Sequence, residues 1–253
     1  MLLIVRREEG RLRRYAHLGT GNYHASNARS YTDISTMTSD PDLCEDVANI
    51  FQQLTGLGSV VSHKKLLQSP FSLHDRMLRL IEEEAANARA GKRALIMAKL
   101  NNLSEPQIIR ALYAASQAGV EIRLVVRGIC SLRPGIPGVS DTIRVRSVVG
   151  RFLEHSRCYY FYANGKETTY LSSADWMPRN FFRRVEVAWP VSLRGARRRL
   201  VRELMTLPFE DDVDAWELGA DGNYTRYRAD GPETRSLQRQ LVAELSALDA
   251  LDA

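Results

Sequence analysis

Glu154-His155-Ser156-Arg157 sets an imidazole and a guanidinium two residues apart, which on an extended chain is one face. An imidazole, with an ordinary pKa of about 6.5, can serve near neutral pH as a nucleophile or as a proton donor. A guanidinium beside it presents a planar fork that matches the oxygens of an anion such as phosphate. The surroundings are basic: from Arg127 to Arg184 there are nine arginines and Lys166 against four carboxylates, a charge of +6 within a chain whose net charge is +5. A polyanionic partner fits that concentration of arginine.

Such groups need a frame, and the chain describes one twice. MLLIVRREEGRLRRYAHLGTGNY and RCYYFYANGKETTYLSSADW each read as a hairpin, a small-residue turn, then an amide or carboxylate and an aromatic. Setting Thr20 on Ser173 lays Gly19-Thr20-Gly21-Asn22-Tyr23 over Ser172-Ser173-Ala174-Asp175-Trp176, and each copy continues to an arginine and an acid, Arg29 and Asp33 or Arg184 and Glu186. His155 lies ten residues before the turn glycine Gly165, whereas ten residues before Gly10 falls at position zero. The first copy's histidine is therefore expected upstream of residue 1, in a chain truncated at its N-terminus.

The elements follow from periodicity and punctuation. Strands are expected at Leu2 to Arg7 and Leu12 to Leu18, turning at Glu8-Glu9-Gly10, with a further short strand at Ala28 to Asp33. Asp40 before Pro41 opens a helix through Gln53, and Ser72-Leu73-His74-Asp75 opens an amphipathic one to Arg89. Arg93 to Lys99, Glu105 to Gln117 and Glu121 to Arg127 read as strand, helix and strand, a right-handed parallel crossover. A strand at Ile143 to Val149, the second hairpin, a basic helix at Arg194 to Leu204, a short strand at Asn223 to Tyr227 and a helix at Glu233 to Leu248 complete the α/β chain.

Composition excludes other classes. With 253 residues, 44% hydrophobic and 26% charged, the chain is neither collagen-like nor disordered. No apolar run approaches the roughly 20 residues of a membrane span, and the N-terminus lacks a secretory signal, so a cytoplasmic protein is expected, with peripheral association at the inner membrane left open. Cys44, Cys130 and Cys158, odd in number and far apart, suggest buried thiols rather than a disulfide or zinc site.

His-x-basic, a strand pair and then Gly/Ser-Ser/Thr-x-Asn/Asp resembles the motif of the phospholipase D superfamily. The ordered run YAHLGTGNYH, ARSYTD, SPFSLHDRML, IMAKLNNL, IRALYAASQAGVEIRLVVRGICSLRPG, IRVRSVVGRFLEHSR and LSSADWMPRN is similar, more closely, to the type 1 polyphosphate kinase family, up to about Asn223. The resemblance implies two phospholipase D-like units with mixed sheets flanked by helices, the first incomplete: residues 1–68, then 69–230, then a C-terminal helical tail at 231–253.

By that resemblance the reaction is reversible transfer of the γ-phosphoryl group of ATP to inorganic polyphosphate through a phosphohistidine, with Mg²⁺. The phosphorylated histidine belongs to the upstream element, and the family's metal positions lie there too, so no metal ligand is assigned. His155 matches the histidine of the ATP site, an acid or a phosphate ligand. Arg127 and Arg184 match arginines on nucleotide phosphates, and Tyr31 matches a tyrosine near the nucleotide. His17, Asn22, Ser173 and Asp175 are candidates for supporting roles, and Lys99 and Asn101 could face the site. His24, His63 and His74 read as surface or capping residues. The expected partners are ATP or ADP and polyphosphate, with no specific nucleic acid, and a homo-oligomer for the full-length enzyme. Two alternatives stay open: a phospholipase D-like phosphodiesterase, which needs both histidines in one chain, and a non-catalytic fragment that binds polyphosphate.

Overall fold

A two-residue turn at Glu9 and Gly10, both at positive φ (49° and 77°), folds strand β1 (Leu2–Glu8) back on β2 (Arg11–Gly19). A turn of that hand matches the twist of the flanking strands, and glycine takes its second position without steric cost. β3 (Ser35–Thr38) then adds antiparallel to β2, closing a three-stranded sheet in the order β1-β2-β3. The computed structural model describes residues 1–58, 61–228 and 235–249.

The strand expected at residues 28 to 33 does not form. Asn27–Arg29 make a 3-10 turn, and the regular strand starts at Ser35. Tyr31 and Thr32 instead pair across the molecule: Thr32 N–H donates to Leu153 O at 2.9 Å, and Ser156 N–H donates to Thr32 O at 2.9 Å. Their partner is a segment more than 100 residues away, which local pattern cannot reveal.

Helix α1 (Pro41–Leu54) starts where the Asp40 carboxylate accepts the Leu43 N–H at 3.0 Å. β4 (Leu67–Gln68) follows, then α2 (Leu73–Arg89), β5 (Leu95–Leu100), α3 (Pro106–Gln117), β6 (Glu121–Val126) and β7 (Ile143–Val148). The second hairpin is β8 (Arg157–Phe161) and β9 (Thr168–Ser172), after which come the short α4 (Pro178–Phe182), β10 (Val187–Pro190) and α5 (Arg194–Val201). α5 passes at Arg202 into a π turn reaching Thr206, so the α-helix expected to Leu204 ends sooner. β11 (Ala215–Leu218), β12 (Tyr224–Arg226) and α6 (Leu237–Asp249) close the chain. The expected start of that last helix, Glu233, lies outside the described residues.

Nine strands form one mixed sheet, ordered β12-β11-β7-β6-β5-β8-β9-β10-β4. β5 and β6 run parallel as the crossover predicted, β7 adds parallel to β6, and β8 lies antiparallel to β5, with Lys99 opposite Cys158. Every residue of β5 is buried, so its alternate side chains serve two cores. Ile96, Ala98 and Leu100 face α2 and α3, joined by Leu80, Leu112 and Leu124. Leu95 and Met97 face the other way, onto Leu18, Val47, Ile50, Trp189 and Leu204. The small sheet and α1 thus pack on one face of the large sheet, and Trp189 Nε1 donates to Thr36 Oγ1 at 3.0 Å across that junction. Burial of this apolar area at about 25 cal/mol per Å² holds the two units together.

Cys44 and Cys158 are buried and Cys130 half-buried, all as free thiols; burial pushes the Cys130 thiol up to about 11 and Cys158 up to about 12. His74, expected as a surface or capping residue, lies in the first turn of α2 but is buried, with Nε2 3.3 Å from Glu105 and its ring against Phe181 and Phe182. Among the described residues no helix is long and apolar enough to cross a membrane.

Candidate functional site

The parallel strands β5, β6 and β7 end at one edge of the sheet, and the chain leaves them as Asn101, Arg127 and the loop after Val148. Crevices outside the carboxyl ends of such strands are where open α/β sheets hold ligands. β8 runs antiparallel, so its first residue, Arg157, and the preceding His155 arrive at the same edge, as does Ser173 after β9.

His155 is met there by the first unit. Its Nδ1 lies 2.9 Å from Asp33 Oδ1 and 3.1 Å from Oδ2, across 122 residues of sequence. A carboxylate only accepts, so Asp33 fixes the proton on Nδ1 and leaves Nε2 for another partner. Arg157 Nη1 is 3.3 Å from Nδ1 and 3.2 Å from Nε2. Near-equal distances put it over the ring face, because an in-plane approach would drive it into Cε1. The Tyr31 ring sits 4.7 Å from the imidazole, centroid to centroid. Asp33 is itself placed by Thr20, whose hydroxyl donates to it at 2.8 Å while accepting the Ile34 N–H at 3.1 Å. Gly21 is required beside it: a Cβ there would fall 1.9 Å from Asp33 Oδ2. Burial raises the Asp33 carboxyl, but the hydrogen bonds of His155 and Thr20 and the charge of Arg157 outweigh it and hold the group below its ordinary range.

Arg157 is committed to the protein. Its Nε and Nη2 donate to the two oxygens of Asp175, each at 3.2 Å, and Nη1 donates to Thr20 O at 3.1 Å. Asp175 also accepts the Asn101 N–H at 2.7 Å. Burial pushes its carboxyl up, and Arg157 with the backbone donors brings it below the ordinary value. Asn101 links two site residues, its amide donating to His155 O at 3.0 Å while its oxygen accepts from Arg127 Nε at 2.9 Å. Behind it, buried Lys99 donates to Ser156 Oγ at 2.6 Å and pairs with Glu154 at 2.9 Å.

Two hollows open at this edge. One, of about 510 Å³, is lined by Ser30, Tyr31, Arg127 and the loop 148–153. The other, of about 220 Å³, is lined by His17, Asn22, Tyr23, Tyr31 and Asp33 among others. His17 donates or accepts at Tyr23 Oη at 2.6 Å and sits on a wall of the smaller hollow rather than on His155. Asn22 is exposed on the same wall.

Ser173 and Arg184 belong to a second strap. Ser173 Oγ donates to Glu186 Oε2 at 2.5 Å and accepts the Val187 N–H at 3.1 Å, and Asn180 donates to Glu186 Oε1 at 2.8 Å. Thr20 to Asp33 and Ser173 to Glu186 are both thirteen residues apart, with the same hydroxyl bonding. The repeat read in the sequence is therefore a repeat of structure, and its acid, counted but not placed in the site beforehand, is the residue that meets a histidine. In this register Tyr31 corresponds to Arg184, which is exposed two residues before Glu186.

Among the described residues no group of three or more His, Cys, Asp or Glu side chains could hold a metal ion. Asp33, Asp175 and Glu154 are each engaged by His155, Arg157 or Lys99, so these carboxylates do not fit a resident Mg²⁺.

Residues 66–238 match the family described as Polyphosphate kinase C-terminal domain 2, and residues 1–60 match Polyphosphate kinase C-terminal domain 1. A polyphosphate kinase of Pseudomonas aeruginosa is 56% identical over 248 residues, covering 98% of this chain, and one of Burkholderia multivorans is 55% identical, covering 96%. The chain spans 36% of the length of each. The solved polyphosphate kinase of Porphyromonas gingivalis superposes with a TM-score of 0.89 at 35% identity, covering 96% of this chain and 37% of that one. With both domain matches falling on the two units that join Asp33 to His155, the chain belongs to the polyphosphate kinase family, in its C-terminal region.

Proposed function

We propose that this chain forms the nucleotide side of a site that transfers the γ-phosphoryl group of ATP reversibly to inorganic polyphosphate. The observation that carries the reading is the His155–Asp33 pair, whose acid stands in a strap duplicated at Glu186. The duplication supplies two carboxylates for two imidazoles. Asp33 holds His155, and Glu186, its counterpart in the repeat, takes the Nδ1 of a second imidazole, the one that the family resemblance assigns to the element ahead of the first hairpin. That second imidazole is the nucleophile that becomes phosphorylated, and Asn22, in the register of Asp175, faces its accompanying cation.

As the imidazolium, with Nδ1–H on Asp33, His155 presents Nε2–H to the transferring group, as a donor to a phosphoryl oxygen or as the acid for the leaving oxygen. Arg127 and Arg184 neutralise phosphate oxygens; charge-assisted hydrogen bonds are about twice as strong as neutral ones, and phosphoryl transfer depends chiefly on such positioning. Tyr31, shared by both hollows, lies against the nucleotide. A basic edge also suits a polymer carrying about one charge per unit.

The test is γ-labelled ATP supplied to a protein that joins this chain to the element bearing the second imidazole, scoring polyphosphate and acid-labile phosphoprotein. The wild type forms both, and His155→Ala loses polyphosphate synthesis while remaining folded. A folded wild type that forms neither, or a His155→Ala protein of unchanged turnover, refutes the assignment.

A further inference from the structure

The loop that carries His155 is gripped on both sides. On one side it is zipped to the first unit, where Leu153 N–H donates to Ser30 O at 2.8 Å and Leu153 O accepts from Thr32 N–H at 2.9 Å. On the other side its partner is a side chain from the last helix. Gln238 Oε1 accepts the Phe152 N–H at 2.8 Å, and Gln238 Nε2 donates to Phe152 O at 2.8 Å. The amide thus acts as a strand of one residue, making both ladder bonds with Phe152. Nε2 donates a third bond, 2.7 Å, to Glu154 Oε1. Glu154 uses its other oxygen for Lys99 at 2.9 Å and Thr32 at 3.2 Å, and its backbone leads straight into His155.

The clamp is built rather than incidental. Gln238 is 6% exposed and Glu154 5%. Gly150 admits the amide, since a Cβ there would stand 2.6 Å from Gln238 Oε1. α6 is seated independently of the clamp: Leu237 packs with Val148 and Leu207, its N–H donates to Asp211 at 2.7 Å, and Arg202 pairs with Glu244 at 2.7 Å. One turn of a terminal helix therefore reaches the loop that lines the larger hollow.

We propose that α6 is a latch on the nucleotide-phosphate loop, with Gln238 as a positioning residue that sets Phe152 to His155 for the ligand held at Tyr31 and Arg127. The inference rests on the function proposed above for that hollow. Linkage then requires reciprocity: a nucleotide bound against the loop tightens α6, by the same factor by which α6 tightens the nucleotide.

The experiment measures ATP affinity and hydrogen exchange on the full chain. Gln238→Glu keeps the shape but turns two donated bonds into oxygen-on-oxygen contacts. It is expected to weaken ATP at least tenfold and to speed exchange of the 152–156 amides at least tenfold, with other amides unchanged. Gln238→Ala, which adds no charge, serves where that variant does not fold. Adding E154Q to Q238E moves the charge to the other partner and restores one bond, so part of the loss returns. Arg202→Ala, which breaks only the exposed pair, leaves ATP affinity within twofold. In the wild type ATP slows exchange in α6, and Gln238→Ala abolishes that protection. Unchanged ATP affinity and unchanged loop exchange overturn the latch, and so does a rise in exchange spread evenly over the chain. A wild type that binds no ATP refutes the proposed function instead, and the 152–156 exchange alone then decides whether Gln238 holds the loop.

Discussion

The Asp33 carboxylate meets His155 Nδ1 at 2.9 Å, joining the end of the first unit's strap to the residue just ahead of β8 in the second. One side chain thereby selects the tautomer of the imidazole and ties together two units that the chain visits 122 residues apart.

Asp33→Asn keeps the shape of that contact but allows the amide to donate as well as accept, so the tautomer is no longer fixed. Turnover is expected to fall about a hundredfold, within the range a positioned acid or base contributes, with little change in ATP affinity. Steady-state kinetics separate the two; an equal loss in KM and none in kcat would contradict the role.

Gly21→Ala tests the same carboxylate from behind, because the new Cβ would displace Asp33. It should reproduce the Asp33→Asn loss, and the double variant G21A/D33N should be no worse than either alone, since residues acting on one contact are not additive. Full additivity in the double-mutant cycle would place the effect of Gly21 elsewhere.

Asp175→Ala removes the acceptor of the Arg157 fork and strands a guanidinium whose side chain is 10% exposed. Breaking a pair this deep costs about 3 kcal/mol or more, read as a lower Tm. The pH dependence follows from the lowered Asp175 carboxyl: its stabilisation is complete above the unfolded pKa of about 3.9 and is lost as pH falls through the folded value. The gap in Tm between wild type and Asp175→Ala is therefore wide at pH 6 and closes in acid. A gap independent of pH would argue against the ion pair.

Arg127→Ala should weaken ATP roughly tenfold to a hundredfold, the worth of a hydrogen bond to a charged group, and should leave Tm close to wild type because the side chain is only half-buried. Titration calorimetry reads the first and a thermal melt the second.

Local chemistry made much of this molecule legible. The Glu9-Gly10 turn, the Asp40 cap and the β5–α3–β6 crossover are written in short-range pattern, where positive φ, an orphan helix N–H and alternating burial leave few options. The repeat was legible too, because hydroxyl, acid and strand recur at one spacing. Tyr31 to Asp33 could not be read, since their partners are Leu153 to Ser156 and an isolated strip with no local mate carries no period. Gln238 and Glu154 were equally silent: a glutamine in an amphipathic helix and a glutamate beside a histidine look like solvated polar residues until packing buries them together. Short-range pattern suffices for the residue types, the duplicated strap and the order of the elements. That Asp33 faces His155 and that α6 reaches the loop follow from packing alone, because those contacts arise when two sheets bury a common core and bring distant backbone within hydrogen-bond reach.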